Sequence, residues 1–354
     1  MHGNRTMAPE WHNIDAVMLA WPHAQTDWAP WLEDARATYL NVIAAVNRND
    51  AGVILLCAPS DVDDLNSRLP ENARVLIVPA SFNDTWMRDY GFITCKDSEG
   101  NGSPVEFRFN GWGNKFNAAE DNLANQRYLA SMCKSVLRSS PIVAEGGALE
   151  IDEDGHLLST AQCLLNPERN GDMSLSAYED AFKDMLGCSK VTILQHGHLE
   201  GDDTDGHIDT LVRFTPNKGL VIQACNNRTN DSHFEGLKAL CDECALELPE
   251  HEQFHLPLPN IVNDEGDRLP ASYANYLICN NAILLPVYGE EEDAEAIETV
   301  QRAHPNHIVE PIDCSVLVRQ YGSLHCISMQ VPRNTLKDSI ITTLKKGVSL
   351  HAPS

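Results

Sequence analysis

The feature that most constrains this chain is a rhythm. Short runs rich in β-branched and large apolar residues alternate with helix-periodic stretches from one end to the other. The runs include Gly52-Val-Ile-Leu-Leu-Cys57, Ala73-Arg-Val-Leu-Ile-Val78, Val105-Glu-Phe-Arg-Phe109 and Val191-Thr-Ile-Leu194. Later ones are Thr210-Leu-Val-Arg-Phe214, Gly219-Leu-Val-Ile-Gln-Ala224, Ala282-Ile-Leu-Leu-Pro286 and Cys326-Ile-Ser-Met-Gln-Val331. Each is bounded by Gly, Pro, Asn or Asp, as strands are. Between them, residues 31–47 place Leu32, Ala35, Tyr39, Ile43 and Val46 at three- and four-residue spacing, the mark of a helix with one apolar face. Residues 122–137, 175–186, 234–246 and 291–303 read the same way. Strands and helices interleaved without a low-complexity linker predict an α/β fold in one domain, residues 1–354, with 333–354 a terminal helix and fraying tail. No repeat is visible in the sequence itself.

Charge narrows the partners. Lys and Arg number 26 against 51 Asp and Glu, a formal net charge of −25. No basic run exceeds Lys345-Lys346, which excludes a phosphate-binding surface and predicts neither nucleic acid nor an anionic membrane as partner. Such a field attracts a cationic substrate; solubility alone is the competing explanation. No stretch approaches the roughly 18 apolar residues a membrane span needs, and the first ten residues lack the apolar centre of a secretory signal. A cytoplasmic protein is the expectation. The 11 cysteines fit it, because an odd number scattered through apolar runs (Cys57, Cys163, Cys225, Cys279) suits buried thiols in a reducing compartment. Cys241 and Cys244 have CxxC spacing without a second pair, and reside in a predicted helix, so they carry no metal or redox assignment.

Three segments concentrate reactive side chains. Asn83-Asp-Thr-Trp-Met-Arg-Asp-Tyr-Gly91 follows a strand, where loops carry function. His196-Gly-His-Leu-Glu-Gly-Asp-Asp-Thr-Asp-Gly-His-Ile-Asp209 crowds acidic residues and histidines between two apolar strands. On a strand, His207 and Asp209 would face the same side, and a metal site built on His196, His198, Asp202, Asp205 and His207 competes with any metal-free reading. In Tyr321-Gly-Ser-Leu-His-Cys-Ile-Ser328 a cysteine follows a glycine turn and enters the last strand. Taken alone it is a core thiol; beside a histidine supplied from elsewhere it is a nucleophile.

A cysteine, a histidine and two isolated carboxylates are what attack on a guanidinium requires. The planar cation presents paired N–H groups that carboxylates grip bidentately. Its resonance-stabilised carbon calls for a strong, soft nucleophile such as a thiolate. Ammonia must leave with a proton, and the same donor can then activate water.

These residues sit in motifs that run nearly end to end. They are Met7-Ala-Pro-Glu-Trp-His12, Leu19-Ala-Trp-Pro-His23, Asp84 to Gly91, Phe109-Asn-Gly-Trp-Gly-Asn-Lys115, Glu145-Gly-Gly-Ala148, Cys163-Leu-Leu-Asn-Pro-Glu-Arg-Asn170, Glu200 to Asp209, Ser272-Tyr-Ala-Asn275 and Leu324-His-Cys326. In their order the chain resembles the agmatine deiminase and bacterial (Porphyromonas-type) peptidylarginine deiminase family of the guanidine-modifying superfamily. The resemblance implies a five-bladed, pseudosymmetric α/β-propeller of ββαβ-type modules with substrate in the central channel. It implies Cys326 as nucleophile, His207 as general acid and base, and Asp89 and Asp209 as guanidinium ligands. It also implies substrate contacts from Glu145, Trp86, Asp203 and Asn275. Asp203 stands where some agmatine deiminases carry glutamate. Arg88 and Arg169 are expected to be structural, Gly146-Gly147 to allow positive backbone φ, and Gly111/Gly113 to be turn residues.

The activity so implied is agmatine to N-carbamoylputrescine plus ammonia, a step toward putrescine, without metal or cofactor. Peptidyl-arginine and then free arginine are the alternative substrates, the latter calling for a cation to meet its carboxylate. A propeller that binds without chemistry should have lost Cys326 or His207, and both are present. The expected partner is a cationic small-molecule guanidine, with room for a homodimer.

Overall fold

A computed structural model describes residues 5–351. The strands assort into five separate sheets, and one local pattern builds each of them. Val212–Thr215 pairs antiparallel with Gly219–Gln223, helix Phe234–Glu247 crosses over, and Glu252–Leu256 returns parallel to the second strand. Leu277–Cys279, Ala282–Val287, helix Asp293–Ala303 and Ile308–Asp313 repeat it. So do Glu150–Ile151, His156–Thr160, helix Leu175–Leu186 and Lys190–Leu194. In a fourth unit Ile93–Asp97 and Gly102–Arg108 precede Arg138–Val143, with Arg5–Met7 added at the edge. The crossover helix follows from the parallel pairing, which a tight turn cannot make.

The fifth unit takes its first strand from the other end of the chain. Met329–Pro332 runs antiparallel to Ile14–Ala20, helix Leu32–Arg48 crosses over, and Gly52–Cys57 lies parallel, followed by Val75–Pro79. The two ends of the chain thus close on one sheet. The fold is α/β, and five ββαβ units are in keeping with the expected five-bladed propeller.

The sequence patterns have plain physical causes. Gly52–Cys57 lies between two parallel neighbours with all six residues buried, which is why it reads as an unbroken apolar run. Helix Leu32–Arg48 buries Ala35, Tyr39, Ile43 and Val46 as their spacing required; each large side chain so buried contributes about 1.5–3 kcal/mol. Helix Leu175–Leu186 starts where Ser174 Oγ accepts the Ala177 N–H and stops at Gly187 in a left-handed conformation, so its bounds were legible.

Four expectations need correction. Residues 122–137 form no single helix; they break into one-turn pieces between Asp121 and Met132. There the Asn125 side chain is buried, accepting from the Phe92 N–H and donating to the Tyr90 carbonyl, so a polar group on the periodic face serves a neighbouring loop. The strand expected from Thr210 begins at Val212, and the one expected from Cys326 begins at Met329. In both cases a hydrogen-bonded turn precedes the strand: Leu211 N–H to Ile208 O, and Ser328 N–H to His325 O. The terminal helix is only Asp338–Leu344, and the segment after it does not fray, since Ser349–Leu350 pairs with Val75–Pro79. Residues 352–354 of the expected tail lie outside the described residues. No helix among the described residues is long and apolar enough to cross a membrane.

Candidate active site

Asp89 lies in the single helical turn Met87–Tyr90 after strand Val75–Pro79. His207 caps the turn Ile208–Thr210, which contains Asp209, so these two residues come from a turn rather than from the strand that the sequence suggested. Cys326 occupies the turn before Met329–Pro332. Loops at strand ends thus bring four separated positions together. The meeting point is marked by a missing side chain. A Cβ on Gly147 would stand 2.7 Å from His207 Nδ1, 2.8 Å from Asp89 Oδ1 and 3.1 Å from Asp209 Oδ2. Gly147 N–H donates to Asp89 Oδ1 at 3.0 Å. Neither Gly146 nor Gly147 has positive φ, so the expected backbone role is wrong; close approach is the reason for glycine here. A Cβ on Gly146 would come 2.1 Å from the Arg88 carbonyl.

Each group is held. Asp89 Oδ2 accepts the Trp112 indole N–H at 2.8 Å. Trp112 reaches it from a turn in which Gly111, Trp112, Gly113 and Asn114 all have positive φ (68°, 56°, 82° and 61°). The glycines adopt this freely, in keeping with the turn role expected of Gly111 and Gly113, while Trp112 and Asn114 each cost about 1–2 kcal/mol. Asp209 Oδ2 lies 2.7 Å from His325 Nδ1, accepts from the Asn275 amide at 3.2 Å, and lies 4.0 Å from Cys326 Sγ. Asp209 Oδ1 is buried with no hydrogen-bond partner among the described residues. Asn275 Oδ1 in turn accepts the Cys326 N–H at 3.3 Å and lies 3.3 Å from its sulfur. Asn275 therefore holds Asp209 and Cys326 from behind and does not line the pocket.

Glu145 is fully buried, and Arg169 Nε donates to both its oxygens at 2.9 and 3.1 Å. Its Oε2 lies 3.7 Å from His207 Nε2, while Asp89 Oδ1 lies 3.6 Å from His207 Nδ1, so the imidazole is flanked by carboxylates on both sides. Burial alone would depress the His207 pKa. Asp89, the Cys163 side chain and Glu145 overcome burial and raise it well above its ordinary value. The Cys326 thiol is pushed far up by burial, then by Asp209 and Asp89. Burial likewise lifts the Asp89 carboxyl to about 6, with Asp209 and Glu145 adding to it and His207 opposing. Both shifts favour the protonated forms, an imidazolium at His207 and a neutral thiol at Cys326.

The pocket above Cys326 is lined by Asp27, Asp84, Asp89 and Asp203, by Trp86, Trp112, Phe116 and Tyr321, and by Thr204, Gln320 and Gly322, without a lysine, arginine or histidine among the lining residues. Trp86 packs on Gly322, where any Cβ would meet the indole at 2.2 Å. Of the expected substrate contacts, Trp86 and Asp203 line the pocket; Glu145 and Asn275 stand behind it. Asp27, Asp84, Trp112, Phe116 and Tyr321 went unassigned in the sequence. Only Trp112 carried a signal, as a large aromatic between two glycines in a turn. The five residues of the competing metal site do not gather: Asp205 pairs with Arg169 and Lys115, His196 with Glu243, and Asp202 accepts the Thr204 and Gly206 N–H groups. The triad of possible ligand atoms within 4.8 Å of one another is Glu145, Cys163 and His207, where Arg169 already occupies both glutamate oxygens. All 11 cysteines are buried and free, Cys241 and Cys244 included.

Comparison with known proteins places this geometry. Residues 6–332 match the family model of Porphyromonas-type peptidyl-arginine deiminase. A protein of Mycoplasma mycoides subsp. mycoides SC named "Putative agmatine deiminase" is 30% identical, covering 92% of this chain and 95% of its own. The structure is similar to that of a C. jejuni agmatine deiminase, a C315S variant with substrate bound, with 31% identity and a TM-score of 0.86 over 94% of this chain and 97% of that one. It is also similar to a protein from Porphyromonas gingivalis described as "Putative Arginine Deiminase", with 38% identity and a TM-score of 0.87 over 94% of this chain and all of the other. The chain belongs to the Porphyromonas-type peptidyl-arginine deiminase family.

Proposed function

We propose that the protein hydrolyses a guanidine, agmatine foremost, to a ureido product and ammonia through a covalent intermediate on Cys326. The observation that carries this reading is the pocket itself, which reaches Cys326 and Asp89, with Asp209 Oδ2 4.0 Å from the Cys326 sulfur, and which carries Asp27, Asp84 and Asp203 farther out with no lysine, arginine or histidine in its lining. The guanidinium sits between Asp89 and Asp209, and the buried, unpartnered Oδ1 of Asp209 becomes one of its acceptors. Charge at both carboxylates is then neutralised, which lowers the Cys326 thiol pKa, and its proton leaves to solvent as the thiolate attacks the guanidinium carbon. His207, protonated at rest, gives its proton to the departing amino group, and ammonia leaves a thiouronium on sulfur. Neutral His207 takes a proton from water and hydroxide adds to the carbon; the C–S bond then breaks, and the added hydroxyl gives up its proton, which restores the Cys326 thiol as the urea forms. The cycle regenerates imidazolium.

The carboxylates at the outer end support agmatine over arginine. Agmatine ends in an ammonium, which Asp27, Asp84 and Asp203 can answer; arginine would bring its carboxylate among those three, where the neighbouring cation, Lys115, is already held by the Asp203 carbonyl and the Asp205 carboxylate. N-carbamoylputrescine is then the product. A ureido-product assay over agmatine, arginine and a peptidyl-arginine substrate tests this. It should give agmatine a kcat/KM at least about 100-fold above the others, roughly 2.7 kcal/mol of discrimination. Comparable turnover of arginine or of the peptide would overturn the choice of agmatine and leave the chemistry standing.

A further inference from the structure

The N-terminal motif Met7-Ala-Pro-Glu-Trp-His12 ends up beneath the active site through one side chain. Glu10 Oε1 accepts from Arg88 Nη1 at 3.1 Å and lies 2.7 Å from His325 Nε2. Its Oε2 accepts from Gln330 Nε2 at 3.0 Å and from Arg213 Nη2. One carboxylate, with its side chain 9% exposed, thus ties residues from three segments far apart in sequence. Burial works against its charge, but Arg213, His325 and Arg88 hold its carboxyl well below the ordinary range.

His325 has a carboxylate oxygen 2.7 Å from each ring nitrogen, Glu10 on one side and Asp209 on the other. A neutral imidazole offers one N–H. Both contacts are hydrogen bonds only when Glu10, His325 and Asp209 together hold two protons, and burial, Arg213 and Arg88 work against the second of them on the imidazole. Such a bridge fixes the ring plane, and the ring in turn fixes which oxygen of Asp209 is occupied. Oδ2 is taken by His325 and Asn275, and Oδ1 is left without a partner among the described residues. A histidine oriented by a carboxylate behind it is a general means of aiming the group in front.

We propose that Glu10 is a positioning residue for the reaction: acting through His325, it aims Asp209 so that Oδ1 faces the guanidinium. The inference rests on the deiminase reading, and wild-type turnover of a guanidine tests that reading separately. The groups that face His325 are Glu10, Asp209, Arg88 and Arg213. Arg213 also pairs with Glu150, which makes no contact with His325 and so provides a control.

The experiment is a double-mutant cycle in the full chain, with the guanidine the wild type turns over fastest. E10Q should lose about tenfold or more in kcat/KM and H325A more still, while E10Q in the H325A background should cost no more than about twofold further, because one pathway carries both effects. H325N, whose amide N–H can stand where Nδ1 stood, should recover part of the H325A loss. A Glu10 that merely held the fold together would give losses that multiply. Multiplying losses, an E10Q at wild-type activity, or a Glu150→Gln loss as large as that of E10Q would overturn the proposal. Should E10Q not fold, H325A at wild-type kcat/KM would overturn it, and a loss restored in part by H325N would sustain it.

Discussion

Asp89 Oδ1 and His207 Nδ1 face each other at 3.6 Å across the space that a side chain on residue 147 would fill. Glycine at 147 is thus a condition of the site's geometry. Gly147→Ala should lower kcat/KM by about a hundredfold or more, the scale of an ångström's misplacement of reacting groups. Thermal unfolding measured alongside should show a folded protein. An active Gly147→Ala enzyme would mean that Asp89, His207 and Asp209 need not converge.

The pH dependence follows from buried carboxylates. Burial raises Asp84, Asp89 and Asp203 each to about 6. They are charged above that pH and take up protons as pH falls through it, so affinity for a cation is present above about 6 and lost below. The fold binds these protons more tightly than the unfolded chain, so the same acidification relieves the cost of burying these three charges. KM should therefore rise from pH 7 to 5, while protonation of these three groups by itself raises the thermal midpoint. A flat KM over that range would contradict their role.

Asp89→Asn and Asp209→Asn each remove a charge-assisted grip worth about 1.5–3 kcal/mol per hydrogen bond. Each should reduce kcat/KM by at least about tenfold, whereas Asp264→Asn, at an exposed loop position, should leave it unchanged. Steady-state kinetics of the three variants decide it; equal, mild losses would remove Asp89 and Asp209 from the chemistry.

How far the sequence carried depended on the range of the interaction. The bounds of helix Leu175–Leu186 are set by Ser174 and Gly187 next door, and the apolar run at Gly52–Cys57 by burial on both faces, so both were readable. The broken helix at 122–137 was not, because Asn125 serves Phe92 and Tyr90 more than thirty residues away. Cys326, His207, Asp89 and Asp209 were named from residue chemistry and family resemblance. The Arg169 bond that holds Glu145 was not legible, because Arg169 lies 24 residues on, in a turn that looked merely structural. Of the outer carboxylates, Asp84 lay in a quoted motif without a role assigned to it, and Asp27 carried no local pattern at all.

That buried pair sets the fourth expectation. The Arg169 side chain is 1% exposed and that of Glu145 is wholly buried. Arg169→Ala leaves a charge in the core without its partner, a loss of about 3–5 kcal/mol. Denaturant unfolding at neutral pH should register it as a lowered midpoint, and Arg169 also pairs with Asp205 beside the pocket residues Asp203 and Thr204, so activity should fall with it. A midpoint unchanged from wild type would show that Glu145 finds another way to be neutral.

The central claim is that Cys326 forms a covalent bond to the guanidinium carbon. The direct measurement is the intact mass of enzyme quenched in acid during turnover of agmatine, followed by peptide mapping, with Cys326→Ser run beside the wild type. We expect a substrate-derived adduct on the peptide that carries Cys326. The serine variant should show no adduct, near-complete loss of turnover and retained substrate binding, because a hydroxyl is far harder to ionise than a thiol. An adduct on another residue, or a serine variant that keeps more than a few per cent of wild-type turnover, would contradict it.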